Sequence, residues 1–166
     1  MGSSTTRRKP TKPKTCHERA LGLLAVRPRS RRELERRLSA AGFERDEVDE
    51  VLGRLERVGL VDDRAFARQM TAYQYGSRRA GRRALTGVLL EKGVAADVIA
   101  QVIEEAPDDE DERALSLASS RAARMSSVDP VKAFGRLTGL LVRRGYSHEV
   151  ARRAAGVALD LQGEGD

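Results

Sequence analysis

The sequence predicts an all-α chain of about nine helices in three tandem three-helix repeats, forming an elongated, curved array. Three observations carry this reading. Leu34, Leu38 and Gly42 recur as Leu85, Leu89 and Gly93, and again as Leu137, Leu141 and Gly145. Each set has the spacing Leu-x3-Leu-x3-Gly, and the glycines stand 51 and 52 residues apart. The apolar residues are mostly Ala, Leu and Val, with 4 % aromatics and no Trp, which favours thin layers between helices over one thick core. Helix-start signals also fall where the period needs them. Ser30-x2-Glu33 reads as a capping box and Asp129-Pro130 as an N-cap followed by Pro at the first helical position. The pairs Asp62-Asp63 and Asp108-Asp109 put carboxylates at the positive ends of helix dipoles.

Each repeat follows from its residues. Leu at i and i+4 marks the buried stripe of an amphipathic helix. The glycine after it supplies the left-handed residue that closes a helix without a Cβ clash. Phe43, Val94 or Tyr146 then packs back on the last turn. A further apolar stripe follows: Val48, Val51, Leu52 and Leu55, then Val98, Ile99, Val102 and Ile103, then Val150, Ala154, Val157, Ala158 and Leu161. That makes a hairpin of about 25 residues, and the rest of each period holds a third helix. In the first unit it spans Thr15 to Val26, with Ala20, Leu21, Leu24 and Ala25 as its apolar set. In the second it begins near Asp62, with Phe66, Met70 and Tyr73 facing the core. In the third it begins near Asp109, with Leu115, Ala118, Ala122 and Met125. The units fall at residues 16–61, 62–107 and 108–162, after a disordered basic tail over 1–15 rich in Arg, Lys, Pro, Ser and Thr.

Composition excludes several function classes. One cysteine, Cys16, rules out an intrachain disulfide and a CxxC metal site, and His17 and His148 lie far apart. No metal, cofactor or catalytic residue is expected. Gly81 and Gly87 lack the spacing of a phosphate-binding loop, and Asp62 and Asp63 read as caps rather than an acid/base pair. No apolar run is long enough to span a bilayer, and the polar, basic N-terminus has no secretory h-region, so a cytoplasmic protein is expected. The net charge of +6 attracts polyanions.

The repeats also carry particular words. Arg29-Ser30-Arg31-Arg32-Glu33-Leu34-x3-Leu38 precedes Gly42-Phe43. Gly59-Leu60-Val61-Asp62-Asp63-x2-Phe66-Ala67 follows, then Arg78-Arg79-x-Gly81-Arg82-Arg83-x-Leu85. In this order, across residues 16–161, the chain resembles the RecX family. Its members carry S-x-x-E-L-x-x-[KR]-L, G-x-[LIV]-D-D-x-x-[FY]-A and a basic G-x-x-x-[LI] segment. The basic tail and the dense acidic run from Glu104 to Glu112 depart from that pattern, and the third repeat is Ala-rich and short of aromatics, which points to looser packing there. The resemblance implies a regulator that binds the recombinase RecA as its nucleoprotein filament and suppresses ATPase, strand-exchange and co-protease activities. It also implies DNA contact in some members.

Candidate contact residues are the clustered basic side chains. Arg27, Arg29, Arg31, Arg32, Arg36 and Arg37 surround the start of the first hairpin. Arg78, Arg79, Arg82 and Arg83 form the densest cluster, at a helix junction, and fit bidentate grips on phosphate or carboxylate. Arg121, Arg124, Lys132, Arg136, Arg143 and Arg144 spread over the third repeat, with Arg152 and Arg153 beyond. The plain reading of each is a solvated helix face. The acidic run reads as a solvated linker that caps the next helix. Tyr73 and Tyr146 read as core residues, with Tyr75 open. An alternative function is a non-specific single- or double-strand nucleic-acid module. Base-specific readout is disfavoured because each second hairpin helix opens with acidic residues (Glu44 and Asp46, Asp97, Glu149) that repel phosphates. A third reading is a helical scaffold with no recombinase involved. A monomer is expected.

Overall fold

The computed structural model describes residues 14–160, and these form nine helices and no strand. They are α1 (Cys16–Val26), α2 (Arg31–Ala40), α3 (Arg45–Arg57), α4 (Asp63–Gly76), α5 (Arg82–Glu91), α6 (Ala96–Glu105), α7 (Glu110–Ala122), α8 (Pro130–Arg143) and α9 (His148–Asp160). Of the basic segment 1–15, residues 1–13 lie outside the described residues, as does Leu161.

Helices pack within their own triplet, and each triplet has its own core. The predicted Leu pairs all sit at these centres, with Leu34, Leu38, Leu85, Leu89, Leu137 and Leu141 fully buried. Burying each such side chain contributes about 1.5–3 kcal/mol. Phe66 and Tyr146 are buried as expected. The Ala-rich third repeat is not loose. Ala114, Ala118 and Ala122 of α7 meet Ala151, Ala154, Ala155 and Ala158 of α9, and these small faces bring the two backbones close.

Three expected core assignments need correction. In α1 the buried stripe is Cys16, Ala20, Leu23 and Leu24, while Leu21 and Ala25 face solvent, so its phase is shifted. In α4 the stripe runs Phe66, Ala67, Met70 and Thr71, with the Thr71 hydroxyl satisfied by the Ala67 carbonyl at 2.8 Å. That rotation leaves Tyr73 47 % exposed. In α9, Val157 is exposed.

The capping signals at Ser30, Asp62 and Asp129 hold, Asp109 makes no side-chain cap, and some of the acidic residues reach further than expected. Ser30 and Glu33 form the predicted box on α2, Thr15 and Glu18 form a second on α1, and the Asp129 side chain caps α8 ahead of Pro130. Asp62 accepts from the backbone of Arg64 and Ala65. Asp63, however, caps a different repeat: its carboxylate accepts from the Arg31 N–H of α2 at 2.8 Å. Glu110, the first residue of α7, does the same for the Arg82 N–H of α5, also at 2.8 Å. In both cases the first helical residue of one unit caps the second helix of the unit before it.

The second helices also meet end to end. The Ser30 hydroxyl at the start of α2 donates to the Lys92 carbonyl at the end of α5, at 2.5 Å. The Gly81 N–H at the start of α5 donates to the Arg144 carbonyl at the end of α8, at 2.8 Å, and Arg83 N–H to Gly145 at 3.1 Å. Thus α8, α5 and α2 follow one another with each positive N-terminus on a negative C-terminus. Gly145 has φ +89°, and a Cβ there would lie 2.3 Å from the backbone nitrogen of Ala84. Gly42 has a similar φ, +93°, but ends the outermost α2 and faces open space.

The first joint is closed by charge. Glu33 is buried and accepts from Arg27 Nη2 at 2.9 Å and from Lys92 Nζ of the next repeat at 3.1 Å. Burial alone would push its pKa up, but hydrogen bonds from Arg27 and Lys92, with their charges, outweigh that and hold it at about 2 against an ordinary 4.5.

Two outcomes are expected in urea denaturation. Gly42→Ala should cost only the left-handed backbone penalty, about 1 kcal/mol. Gly145→Ala should cost a further 1–3 kcal/mol or so and broaden the transition, because the joint must open; equal losses would refute the close approach. Glu33→Gln should destabilise by about 2 kcal/mol or more at neutral pH. Because the folded pKa is the lower one, the gap between wild type and variant should be full above pH 4.5 and close as pH falls toward about 2.

Candidate interface

The three sets of basic residues have different fates. The first set is largely committed to structure. Arg27 holds Glu33, and Arg31 pairs with Asp49 at 3.2 Å and Glu56 at 3.6 Å. Arg29 is buried, donates Nε to the Leu23 carbonyl at 3.1 Å, and has its pKa pushed down by burial and then by Arg27 and Arg37. The Arg32 side chain lies on Gly93 in the first joint. Arg36 and Arg37 remain exposed.

The second and third sets, separate in sequence, partly converge. Arg78 and Arg79 in the α4–α5 loop, Arg121 and Arg124 at the end of α7, and Arg144 at the end of α8 line one basin of about 330 Å³. Ser77, Leu117 and Ser120 complete its wall, and no carboxylate lines it. Among the described residues none of the five arginines is ion-paired. Like charges are gathered at a cost, and the fold offsets part of it. The basin lies close to the C-terminal ends of α4 and α7, where the negative dipole ends favour cations.

The loop is held by the third repeat. Arg144 Nη1 donates to the Arg78 carbonyl at 2.7 Å, and the buried Tyr146 hydroxyl donates to the Arg79 carbonyl at 2.8 Å. Arg79 sits at φ +48°, the one non-glycine residue at positive φ among those described. A left-handed Arg costs about 1 kcal/mol, so these two bonds are what keep it there. Burial pushes the Tyr146 hydroxyl pKa up, which keeps it a donor.

The remaining candidates lie elsewhere. Arg82 pairs with Asp108 and Glu110, and with exposed Arg83 it lines a separate cleft with Thr86 and Ser147. Lys132, Arg136 and Arg143 are exposed along α8 and do not line the basin. The acidic run is more than a solvated linker. Glu105 binds Arg64 and Arg68 of α4, Asp109 binds Arg113, and Asp111 pairs with Arg153 of α9 at 2.6 Å. Asp109 makes no side-chain cap on its own helix.

Sequence reasoning passed over Arg113 and misplaced Tyr73. Arg113 is mostly buried and its guanidinium lies 3.7 Å from the Tyr75 ring centre, which commits Tyr75 to packing. The i, i+4 relation of Asp109 to Arg113 was the available signal. Among the described residues no group of His, Cys, Asp and Glu is placed to hold a metal ion, and no helix is long and apolar enough to cross a membrane.

Comparison with known proteins agrees with this architecture. Family models for the first, second and third three-helix domains of RecX match residues 16–55, 62–103 and 108–155. The chain is 36 % identical to the regulatory protein RecX of Streptomyces coelicolor over 87 % of this chain and 77 % of that one. It is 37 % identical to the regulatory protein RecX of Mycolicibacterium smegmatis over 89 % and 83 % of the two chains. The crystal structure of RecX from Lactobacillus salivarius superposes with a TM-score of 0.78 at 21 % identity, covering 88 % of this chain and 95 % of that one. With three consecutive units matched in order, the chain belongs to the RecX family of regulatory proteins.

Proposed function

We propose that this chain regulates the recombinase RecA by binding its nucleoprotein filament. Binding inhibits ATPase, recombinase and co-protease activities, and so modulates recombinational DNA repair and the SOS response. The observation that carries this reading is the basin of five arginines without ion pairs, built where repeats 2 and 3 join. Side chains placed there by structure, and left without carboxylates, suit a strongly anionic partner. The three units joined end to end supply a row of surfaces rather than a pocket, which suits a partner that is itself a repeating filament. The chain acts as a monomer in the cytoplasm and needs no cofactor.

The test is the single-strand-dependent ATPase of the cognate recombinase, titrated with this protein at two salt concentrations. Inhibition well below one molecule per recombinase, persisting at the higher salt, is the expected result. Reversing Arg79 and Arg124 to Glu should weaken inhibition about tenfold or more. The charge-matched reversal of Arg36 and Arg37 should leave it unchanged. Absence of inhibition, or inhibition that vanishes with salt, overturns the reading.

A further inference from the structure

The wall of the arginine basin holds two hydroxyls, Ser77 and Ser120, and no carboxylate. The two serines differ in access. Ser120 lies inside α7, where its hydroxyl donates to the Leu117 carbonyl at 2.9 Å. Ser77 is the first residue beyond α4 and is exposed. The residue before it, Gly76, faces open space, so an enzyme can approach this side of the turn. The two residues after it are Arg78 and Arg79, both part of the basin. An accessible hydroxyl therefore stands on the rim of a cluster of cations that lacks a counter-charge.

We propose that Ser77 is a phosphorylation site whose phosphate turns into the arginine basin and closes it to anionic partners. The step is phosphoryl transfer from a nucleoside triphosphate by a protein kinase. The bond from the Ser77 Oγ to the γ-phosphorus forms, and the bond from that phosphorus to its bridging oxygen breaks. The nucleoside diphosphate leaves with that electron pair, and the kinase's base takes the hydroxyl proton. The product brings close to two negative charges and three acceptor oxygens, which guanidinium groups bind through paired, charge-assisted hydrogen bonds. Ser77 also stands at the negative end of α4, which opposes a phosphate. That opposition amounts to about half a charge within the last turn, against five arginines around the basin, so the arginines win. Because the anion is tethered to the basin's own wall, its effective concentration there is high, and an incoming carboxylate or phosphate must displace it. It also relieves the repulsion among the arginines, so the modified fold is the more stable one. The loss of partner binding rests on the reading of the basin as the partner surface; the gain in stability does not.

The experiment installs phosphoserine in the full chain during synthesis, at position 77 or at Ser39. Ser39 is exposed in the last turn of α2, so a phosphate there meets a negative helix end without the basin. Phosphoserine at 77 should raise the melting temperature by about 3 °C or more, while phosphoserine at 39 should leave it unchanged or lower it. The gain at 77 should shrink as salt rises and disappear in a chain that also carries Arg121→Gln and Arg124→Gln. In the recombinase ATPase assay, phosphoserine at 77 should weaken inhibition about tenfold or more. Peptide mass spectrometry of the protein isolated from its own cells, in growth and after DNA damage, should find phosphate on Ser77. The proposal is overturned by no phosphate on Ser77 in either state, by a fall in melting temperature like that at position 39, or by a gain that survives loss of the two arginines. A phosphorylated chain that inhibits as well as the unmodified one overturns the switch alone. An unmodified chain that does not inhibit overturns the regulatory reading instead, so the two failures are told apart.

Discussion

The structure depends on the joint between consecutive second helices. An isolated helix leaves N–H groups unpaired at its start and carbonyls unpaired at its end. Here α5 closes its start on the end of α8, and α2 closes its start on the end of α5. The carboxylates of Asp63 and Glu110 reach back from the following unit to finish each start. Each hydrogen bond is worth only about 1 kcal/mol, but left unmade a buried group costs more than that. Since helices of different repeats share little side-chain packing, these few polar bonds decide how the three cores are placed.

The two joints are built from different materials. Between repeats 1 and 2 the contact is a hydroxyl and a buried ion pair, Ser30 to Lys92 and Glu33 to Lys92. Between repeats 2 and 3 it is backbone to backbone, and Gly81 stands so close to Gly145 that a Cβ on it would lie 2.4 Å from that glycine's carbonyl carbon. Tyr146 and Arg144 then extend the second joint into the loop that carries Arg78 and Arg79. The arginine basin is therefore a product of the tighter joint. Its geometry is set by the same residues that hold the units together.

Much of this was legible in the sequence, for a physical reason. Leu-x3-Leu-x3-Gly is a local pattern, with a stripe and a stop within one helix, so its three occurrences gave the units and their cores. Capping boxes are equally local, which is why Ser30 and Glu33 could be read. What could not be read is anything that depends on a neighbour in space. Asp63 looks like a cap for its own helix, and only the fold reveals that it serves Arg31. Arg27 and Arg79 look alike in sequence, yet one is tied to a buried carboxylate and the other is left open. Tyr73 fitted a stripe at i, i+4 and i+7 from Phe66, but Thr71 could bond its own helix backbone and took the inner position instead.

The direction of the joints also bears on how the chain is made. Synthesis delivers repeat 1 first, yet the groups that complete the start of α2 come from Asp63 and Lys92, 32 and 62 residues downstream of their partners. The start of α5 likewise waits for Glu110 and Arg144. On the ribosome each of the first two units therefore emerges with part of its second helix's start unpaired and is completed by its successor. In the last repeat the second helix takes a local Asp129 cap ahead of Pro130, so among the described residues its start is finished within its own unit. Order passes through this molecule from its C-terminal unit back toward the beginning, against the direction of translation.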